Sequence, residues 1–291
     1  ATEGRFAALH AGRLGRLVGR TQELALLWER WSEARAGEGQ VVQLLGEPGI
    51  GKSRLLEALR ERLDEGAHTR IRYFCSPYHT SSALHPIKAQ MVRAAELDRD
   101  EPAEAKLAKL ERMAILAGQE PMLAVPPVAA LLGIPGGDRF PSPDLTPRRQ
   151  KSLLFEVLLD HLVGLAVRQP MVIFYEDLQW IDPTTLELLD LLVGRIERQP
   201  ILVIATCRPE WAPRWIGHPS CSLLTINRLS RAHAAAIVED LTRDRTLPEP
   251  VREQILARTD GVPLFVEELT RAVLDSDLID GRTAGLGLRG P

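Results

Sequence analysis

The chain has 291 residues, of which 45% are hydrophobic and 26% are charged, and its formal net charge is −3. This length suits one large domain plus a small one, and the weak negative charge argues against a protein that neutralises nucleic-acid phosphates. The cysteines Cys75, Cys207 and Cys221 form no C-x-x-C pair, no apolar run reaches the roughly 18 residues that a membrane span needs, and no signal peptide is visible. We therefore expect a cytoplasmic protein without a disulfide framework, a zinc site or a membrane span.

The predicted elements alternate between helices and strands in the first part of the chain. After a linker over residues 1–16, periodicity predicts helices over 21–36 and 53–64, and apolar runs predict strands over 40–45 and 69–75. Residues 84–168 are predicted to be a mostly helical insertion, interrupted by a proline-rich and glycine-rich loop over 126–143. Thr146 followed by Pro147 predicts the N-cap and first residue of a long helix to about Val167.

The second part continues the alternation. Strands are predicted over 171–175, 201–206 and 223–226, a helix after Asp182, and helices over 231–276 with a break at Gly261-Val262-Pro263. Uninterrupted apolar strands between helices predict an α/β fold with a parallel sheet covered on both faces. We expect a large α/β domain over 17–229, a small helical domain, or lid, over 230–279 and a disordered tail over 280–291.

A glycine-rich loop follows the first predicted strand. Its residues match the pattern G-x-x-x-x-G-K-[ST] in full: Gly46, Glu47, Pro48, Gly49, Ile50, Gly51, Lys52 and Ser53. Glycines let several N–H groups converge on one point, and the following helix adds its positive dipole end. We predict that Lys52 contacts the β- and γ-phosphates of ATP, that Ser53 binds Mg²⁺, and that Arg54 also belongs to the nucleotide site. The flanking strand and helix argue against an incidental glycine-rich turn.

Two acids, Glu176 and Asp177, follow the apolar run 171–175. Paired carboxylates at a buried strand end repel each other without a cation, so they indicate a magnesium shell rather than a plain acidic turn. Strand register assigns Glu176 to the metal and Asp177 to the attacking water. Two alternatives stay open: Glu176 acts through a water molecule, or Asp177 performs both tasks. Asp182, before Pro183, is predicted to be a helix N-cap.

Three further positions are candidates for contacts with the nucleotide. Arg208 follows the strand 201–206, where it could stabilise charge on the γ-phosphate. Gly19, in the run Leu17-Val18-Gly19-Arg20, would let the backbone approach an adenine edge. Pro263 could contact the base from the lid. A surface arginine, a helix start and a helix break are the plainer alternatives for these positions.

Taken together, the motifs occur in the order found in STAND ATPases, the AAA-related, origin-recognition-like signalling NTPases, which the chain resembles over about residues 14–279. Within that class, segments 74–87 and 259–269 are similar to the ATPase segment of bacterial class III adenylate/guanylate cyclases, although Gln179 stands where His is usual. The resemblance implies that Val18, Gly19 and Arg20 lie by the adenosine, that Arg208 senses the γ-phosphate and that Pro263 touches the base.

The resemblance also implies a function. It implies an ATP-binding switch that hydrolyses ATP slowly to ADP and phosphate, usually joined to an output domain and a repeat-rich sensor. No cyclase, winged-helix or repeat domain is present, so we expect a protein partner, or a fragment or remnant of a larger regulator. Two alternatives are a nucleotide-binding module that does not hydrolyse ATP and a DNA-loading ATPase, against which the net charge argues.

Overall fold

The computed structural model describes residues 16–64, 66–141, 144–212, 214–242 and 247–276. The predicted tail and all of the predicted linker except Arg16 lie outside these ranges. Within the described residues, no helix is both long enough and apolar enough to cross a lipid bilayer.

Five strands of the described chain form one sheet in the order β2-β3-β4-β1-β5. They are β1 Gln40–Leu45, β2 Thr69–Phe74, β3 Met171–Glu176, β4 Ile201–Cys207 and β5 Cys221–Thr225. Strand β3 pairs in parallel with β2 on one side and with β4 on the other. Every residue of β1, β3 and β4 is buried, which is why these strands are mostly apolar and show no alternation of apolar and polar residues. The predicted α/β class is confirmed.

Ten α-helices are present in the described residues. They are α1 Thr21–Arg35, α2 Lys52–Leu63, α3 His85–Ala94, α4 Ala103–Leu116, α5 Pro121–Leu132, α6 Pro147–Arg168, α7 Pro183–Arg195, α8 Arg231–Leu241, α9 Glu249–Thr259 and α10 Pro263–Asp275. The predicted bounds of α1, α2 and α6 are correct to within one residue at each end. Thr146 and Pro147 begin α6 as predicted, because proline fixes the backbone angle that a first helical residue needs.

The predicted loop over residues 126–143 is wrong in its first part, because α5 continues through Pro126 and Pro127 to Leu132. A proline in a helix interior lacks an N–H donor and costs about 3 kcal/mol. Burial offsets that cost, since most of one helix face is inside the protein: Ala124, Val125, Pro126, Val128 and Ala129. Only at Gly133, whose φ of 67° is left-handed, does the helix end.

Contacts along the chain divide it into two compact units. Among the described residues, the first unit contains 16–28, 44–64, 224–242 and 247–276, and the second contains 29–43, 66–141, 144–212 and 214–223. In the first unit, α8, α9 and α10 share one apolar core: Ala234, Val238, Ile255, Leu256, Val266 and Val273. The second unit contains β2, β3 and β4 with helices α3 to α7. The predicted boundary between an ATPase domain and a lid at 229/230 stays a prediction.

Candidate nucleotide-binding site

The predicted phosphate loop lies between β1 and α2 in the first unit. Gly49 has a φ of 76° and Gly51 a φ of 99°, both in the left-handed region that glycine adopts without strain. Gly51 is the N-cap of α2, so no capping side chain occupies the first N–H groups of the helix. The first N–H groups of a helix have no intrahelical acceptor, so the start of α2 offers donors and a positive dipole end to an anion.

Neighbouring side chains leave little room for a Cβ atom at two glycines of this loop, Gly46 and Gly49. A Cβ atom at Gly46 would lie 2.8 Å from Cγ2 of Ile50, and one at Gly49 would lie 3.0 Å from Cβ of Leu264. The backbone of the loop is therefore held by apolar neighbours on one side.

Lys52 adds the positive charge that the sequence pattern predicts. Its ammonium group donates to the carbonyl oxygens of Gly46 at 2.6 Å and Glu47 at 3.0 Å. The lysine thus spans the loop from its C-terminal end to its N-terminal end and fixes a half-buried cation beside the N–H groups. Such a cation complements the charge of a bound phosphate.

The break between α9 and α10 lies against the phosphate loop. The N–H of Leu264 donates to the carbonyl of Gly49 at 3.2 Å, and Cγ of Pro263 is 3.9 Å from the place of a Cβ on Gly51. Gly261 has a φ of 71°, and its carbonyl accepts from the N–H of Leu229 at 2.9 Å. The motif Gly261-Val262-Pro263 is therefore a contact between the three C-terminal helices and the loop, and not only a helix break.

Arg20 is buried and binds backbone oxygens. It is 5% exposed, and its Nη2 donates to the carbonyls of Asn227 at 2.6 Å and Ile50 at 3.2 Å, while Nη1 pairs with Glu23 at 3.1 Å. One guanidinium therefore connects the start of α1, the phosphate loop and the segment after β5. The structure gives Arg20 the role of a brace for the loop.

Gly19 lies under the imidazole of His233. Its φ is 66°, and a Cβ there would be 2.6 Å from Nδ1 of His233. His233 is an exposed residue near the start of α8 and was not among the predicted site residues. An imidazole packed on this glycine is a flat surface at the position where the resemblance places the adenosine.

Arg228 is a second residue that the sequence did not single out. Its Nη2 lies 3.1 Å and 3.2 Å from the carboxylate oxygens of Glu47 in the phosphate loop, and its Nη1 pairs with Asp260 before Gly261. One cation thus bridges the loop and the end of α9. Arg228 belongs to no short sequence motif. Its role becomes visible only from its contacts with two acids that are far from it in sequence.

The acidic end of β3 lies in the second unit. Glu176 is 7% exposed, and its Oε1 lies 2.5 Å from Nε of Arg72 on the neighbouring strand β2. The backbone carbonyl of Glu176 accepts from the N–H of Cys75 at 3.0 Å. A cation from the protein thus already balances the charge of this buried carboxylate.

Asp177, in contrast, is exposed and has a left-handed backbone, with φ 61° and ψ 51°. Asp is among the residue types that tolerate this conformation. Its N–H donates to Oγ1 of Thr206 at 3.0 Å, and its Oδ1 accepts from Nε2 of Gln179 at 3.0 Å. Within the described part of the chain, the buried Oε1 of Gln179 has no hydrogen-bond partner. Gln179 therefore contacts Asp177 through its amide nitrogen, and its amide oxygen is buried.

Two other predicted positions lie close by in the same unit. The guanidinium of Arg208 is 5.6 Å from the ring centre of Trp180, a cation–π distance that holds the arginine half-buried after β4. Asp182 caps α7 as predicted, because its Oδ1 accepts from the N–H groups of Thr184 at 3.1 Å and Thr185 at 2.9 Å. The same oxygen accepts from the N–H of Leu84 at 3.1 Å, so the cap also anchors the segment before α3.

The structure therefore places the predicted residues in two groups. The first unit brings together the phosphate loop, Arg54 at the start of α2, the run Val18-Gly19-Arg20 and Pro263. The second unit brings together Glu176, Asp177 and Arg208 at the ends of β3 and β4.

The chain is similar to known proteins in both sequence and fold. A family model described as AAA ATPase domain matches residues 16–204. An uncharacterized protein of Rhizobium meliloti (strain 1021) is 32% identical over 278 residues, which cover 90% of this chain and 26% of that protein. The chain thus spans only about a quarter of the length of this curated relative.

Several solved structures are similar in fold. The Drosophila origin recognition complex bound to DNA superposes with a TM-score of 0.50 at 12% identity, over 90% of this chain and 57% of that one. A STAND protein with a tetratricopeptide repeat sensor from Pyrococcus horikoshii gives 0.46 at 17% identity, over 91% of this chain and 34% of that one. A RuvB mutant from Thermotoga maritima gives 0.47 at 16% identity, over 90% and 66%. Likeness at these identities shows the fold alone.

Proposed function

We propose that this chain, which belongs to the AAA ATPase domain family, binds ATP with Mg²⁺ at the phosphate loop and hydrolyses it slowly to set the position of α8–α10. The family confirms the predicted AAA-related ATPase and implies nucleotide binding. One observation carries the switch: the carbonyl of Gly49 in the phosphate loop accepts the N–H of Leu264 at the start of α10.

That hydrogen bond supports coupling between the nucleotide and the helices. A bound phosphate orients the peptide groups of the loop, and the same short segment supplies the acceptor that holds α10. A nucleotide that binds one arrangement of the loop more tightly shifts the equilibrium between the two arrangements. The free energy of that shift equals the difference between its binding free energies for them. Arg228, which pairs with Glu47 and Asp260, adds a second connection of the same kind.

The predicted metal ligands suit a hard cation by residue type. The Ser53 hydroxyl in the first unit, and the carboxylates of Glu176 and Asp177 in the second, supply oxygen atoms, which Mg²⁺ prefers. When bound, Mg²⁺ would neutralise charge on the β- and γ-phosphates. Because Glu176 is paired with Arg72, we favour the alternative in which Asp177 performs both tasks. Asp177 then accepts a proton from the attacking water, and the hydrogen bond from Nε2 of Gln179 orients the Asp177 carboxylate.

The test separates binding from turnover. Lys52→Ala should abolish ATP binding measured by calorimetry, since it removes the cation of the loop. The matched control is Lys151→Ala, which removes an exposed lysine paired with Glu187 and should leave binding intact. Asp177→Asn keeps a residue that tolerates the left-handed backbone. It should leave ATP binding within about threefold and lower phosphate release at least about a hundredfold.

Each outcome decides something. ATP binding by the Lys52→Ala variant at wild-type strength, with Mg²⁺ present, would overturn the nucleotide site. Equal phosphate release from wild type and Asp177→Asn would refute the proposed ATP hydrolysis. The second candidate, a nucleotide-binding module without hydrolysis, would then remain. The Glu176–Arg72 pair favours that candidate, because it occupies one of the two carboxylates expected at the metal.

The regulatory role has its own test. Arg228→Gln removes both of the ion pairs that join the loop to the end of α9. We expect the ratio of ATP to ADP affinity to change by about two- to fivefold, because exposed ion pairs contribute at most about 1 kcal/mol. Arg252→Gln, which removes exposed pairs with Glu249 and Glu239, is the control and should leave the ratio unchanged. Equal ratios in both variants would refute the second connection.

We propose further that the chain is the regulatory part of a signal-transduction protein, with a cyclase as output. Support comes from the resemblance of segments 74–87 and 259–269 to cyclase-associated ATPases. A cyclase reading frame fused or adjacent in the genome is the expected observation. A neighbourhood without any output domain would count against the cyclase association.

A further inference from the structure

The second unit contains a largely apolar cavity that has no part in the nucleotide chemistry proposed above. Its volume is about 190 Å³, and it lies between the edge strand β2 and helices α3, α4, α6 and α7. Six apolar side chains form much of its wall: Ile71, Ile87, Met91, Met113, Leu158 and Leu162. An apolar cavity of about 150 Å³ binds benzene, so this volume accommodates one or two aromatic rings.

The cavity has surface-exposed residues in its wall. Leu116, at the end of α4, is 53% exposed and also lines the cavity. Arg70 and Ala94 are exposed and line it as well. A small molecule therefore has a route in from solvent beside the end of α4.

His161 supplies a polar atom of defined character. The Nε2 of Gln119 donates to the carbonyl of Val157 at 2.9 Å, which orients the amide so that its Oε1 faces Nδ1 of His161 at 3.1 Å. Since Oε1 only accepts, Nδ1 must carry the hydrogen. Burial lowers the pKa of His161 to about 4, so the ring is neutral near pH 7 and Nε2 is an acceptor.

The residues around the imidazole indicate on which side Nε2 lies. Gln119 lines a neighbouring space of about 20 Å³ and is not in the wall of the large cavity, whereas His161 lines both. With Nδ1 turned to Gln119, Nε2 lies on the other side of the imidazole, and His161 is a wall residue of the large cavity. The cavity thus combines mostly apolar walls with the Nε2 acceptor of His161, and Thr69, Tyr73 and Gln90 add further polar side chains to its wall.

The two methionines indicate an aromatic ligand. Met91 and Met113 both line the cavity, and thioether sulfurs make favourable contacts with the edges of aromatic rings. We propose that this cavity binds small, neutral aromatic molecules that carry one N–H or O–H donor, which Nε2 of His161 accepts. Indole is a suitable probe, and indene is its counterpart of nearly equal shape without the N–H.

The methionines also provide the measurement. The chain has four methionines, and the two outside the cavity are Met122, which is 51% exposed, and Met171, which is fully buried in β3. In the full chain labelled with ¹³C-methyl methionine, indole should shift the signals of Met91 and Met113 saturably and leave the other two in place. Indole should bind about two- to tenfold more tightly than indene, the range expected for one net hydrogen bond.

Variants make the inference falsifiable. Ala94→Phe fills the cavity and should abolish the shifts, whereas Ala130→Phe, at an exposed alanine of α5 outside the cavity, should preserve them. His161→Phe should bind indene and indole equally. The proposal is overturned if indole leaves Met91 and Met113 unshifted, if all four signals move together without saturation, or if wild type binds indene as tightly as indole.

Discussion

Replacing Gly261 with alanine should displace the motif that holds α10 against the phosphate loop. Gly261 has a φ of 71°, and a Cβ there would lie 2.3 Å from the carbonyl oxygen of Leu229. Gly118 is a matched control, because its φ is also 71° and a Cβ there would meet nothing within 4 Å. The left-handed backbone costs alanine about 1–2 kcal/mol at either position, so that cost cancels in the comparison.

The remaining difference comes from the clash. A carbon atom rarely approaches a carbonyl oxygen closer than about 3 Å, so the two must separate by most of an ångström. That shift removes the hydrogen bond from Leu229 to Gly261, now 2.9 Å long, and strains the one from Leu264 to Gly49. Each contributes about 0.5–1.5 kcal/mol, so Gly261→Ala should be less stable than Gly118→Ala by about 1–3 kcal/mol.

Calorimetric unfolding and ATP titration measure the two consequences. For a chain of this size, each kcal/mol lowers the unfolding temperature by about 2–4 °C. Gly261→Ala should also weaken ATP binding relative to Gly118→Ala, because the loop loses its contact with α10. Equal unfolding temperatures and equal ATP affinities for the two variants would refute the reasoning.

Three further predictions concern buried or half-buried side chains. Burial lowers the pKa of His161 to about 4 from an ordinary value near 6.5, so neutral His161 contributes fully to stability above pH 6.5. That contribution is lost as the pH falls from 6.5 towards 4. In His161→Phe, the free energy of unfolding measured with denaturant should depend less on pH over this range. Asp182→Ala should lower the free energy of unfolding by about 2–4 kcal/mol because it removes a cap and leaves the N–H of Leu84 without its acceptor, whereas Asp182→Asn should cost less. Burial raises the pKa of Cys221 to about 11, so iodoacetamide should label it at pH 8 at least about tenfold more slowly than free cysteine, and fully buried Cys207 only after unfolding.

Local patterns in the sequence sufficed for the elements that frame the site. Strands β1, β3 and β4 were predictable because each is an apolar run that ends at a glycine-rich loop or at polar residues. The phosphate loop was predictable because its chemistry needs particular residues within eight consecutive positions, from Gly46 to Ser53. Asp182 was predictable as a cap because capping acts over two or three residues. In each case the interacting groups are close together in the chain.

The tertiary structure alone decided what depends on residues far apart in sequence. Arg20 reaches a carbonyl 207 positions away, and Glu176 meets an arginine 104 positions away because β2 and β3 are neighbours in the sheet. Pro126 lies inside a helix because the packing of its neighbours outweighs the low helix propensity of proline. A prediction from the sequence takes that propensity into account but not the packing. Periodicity and motifs reflect interactions between residues that are close in sequence. The partner of a charged side chain depends instead on how the strands and helices pack together.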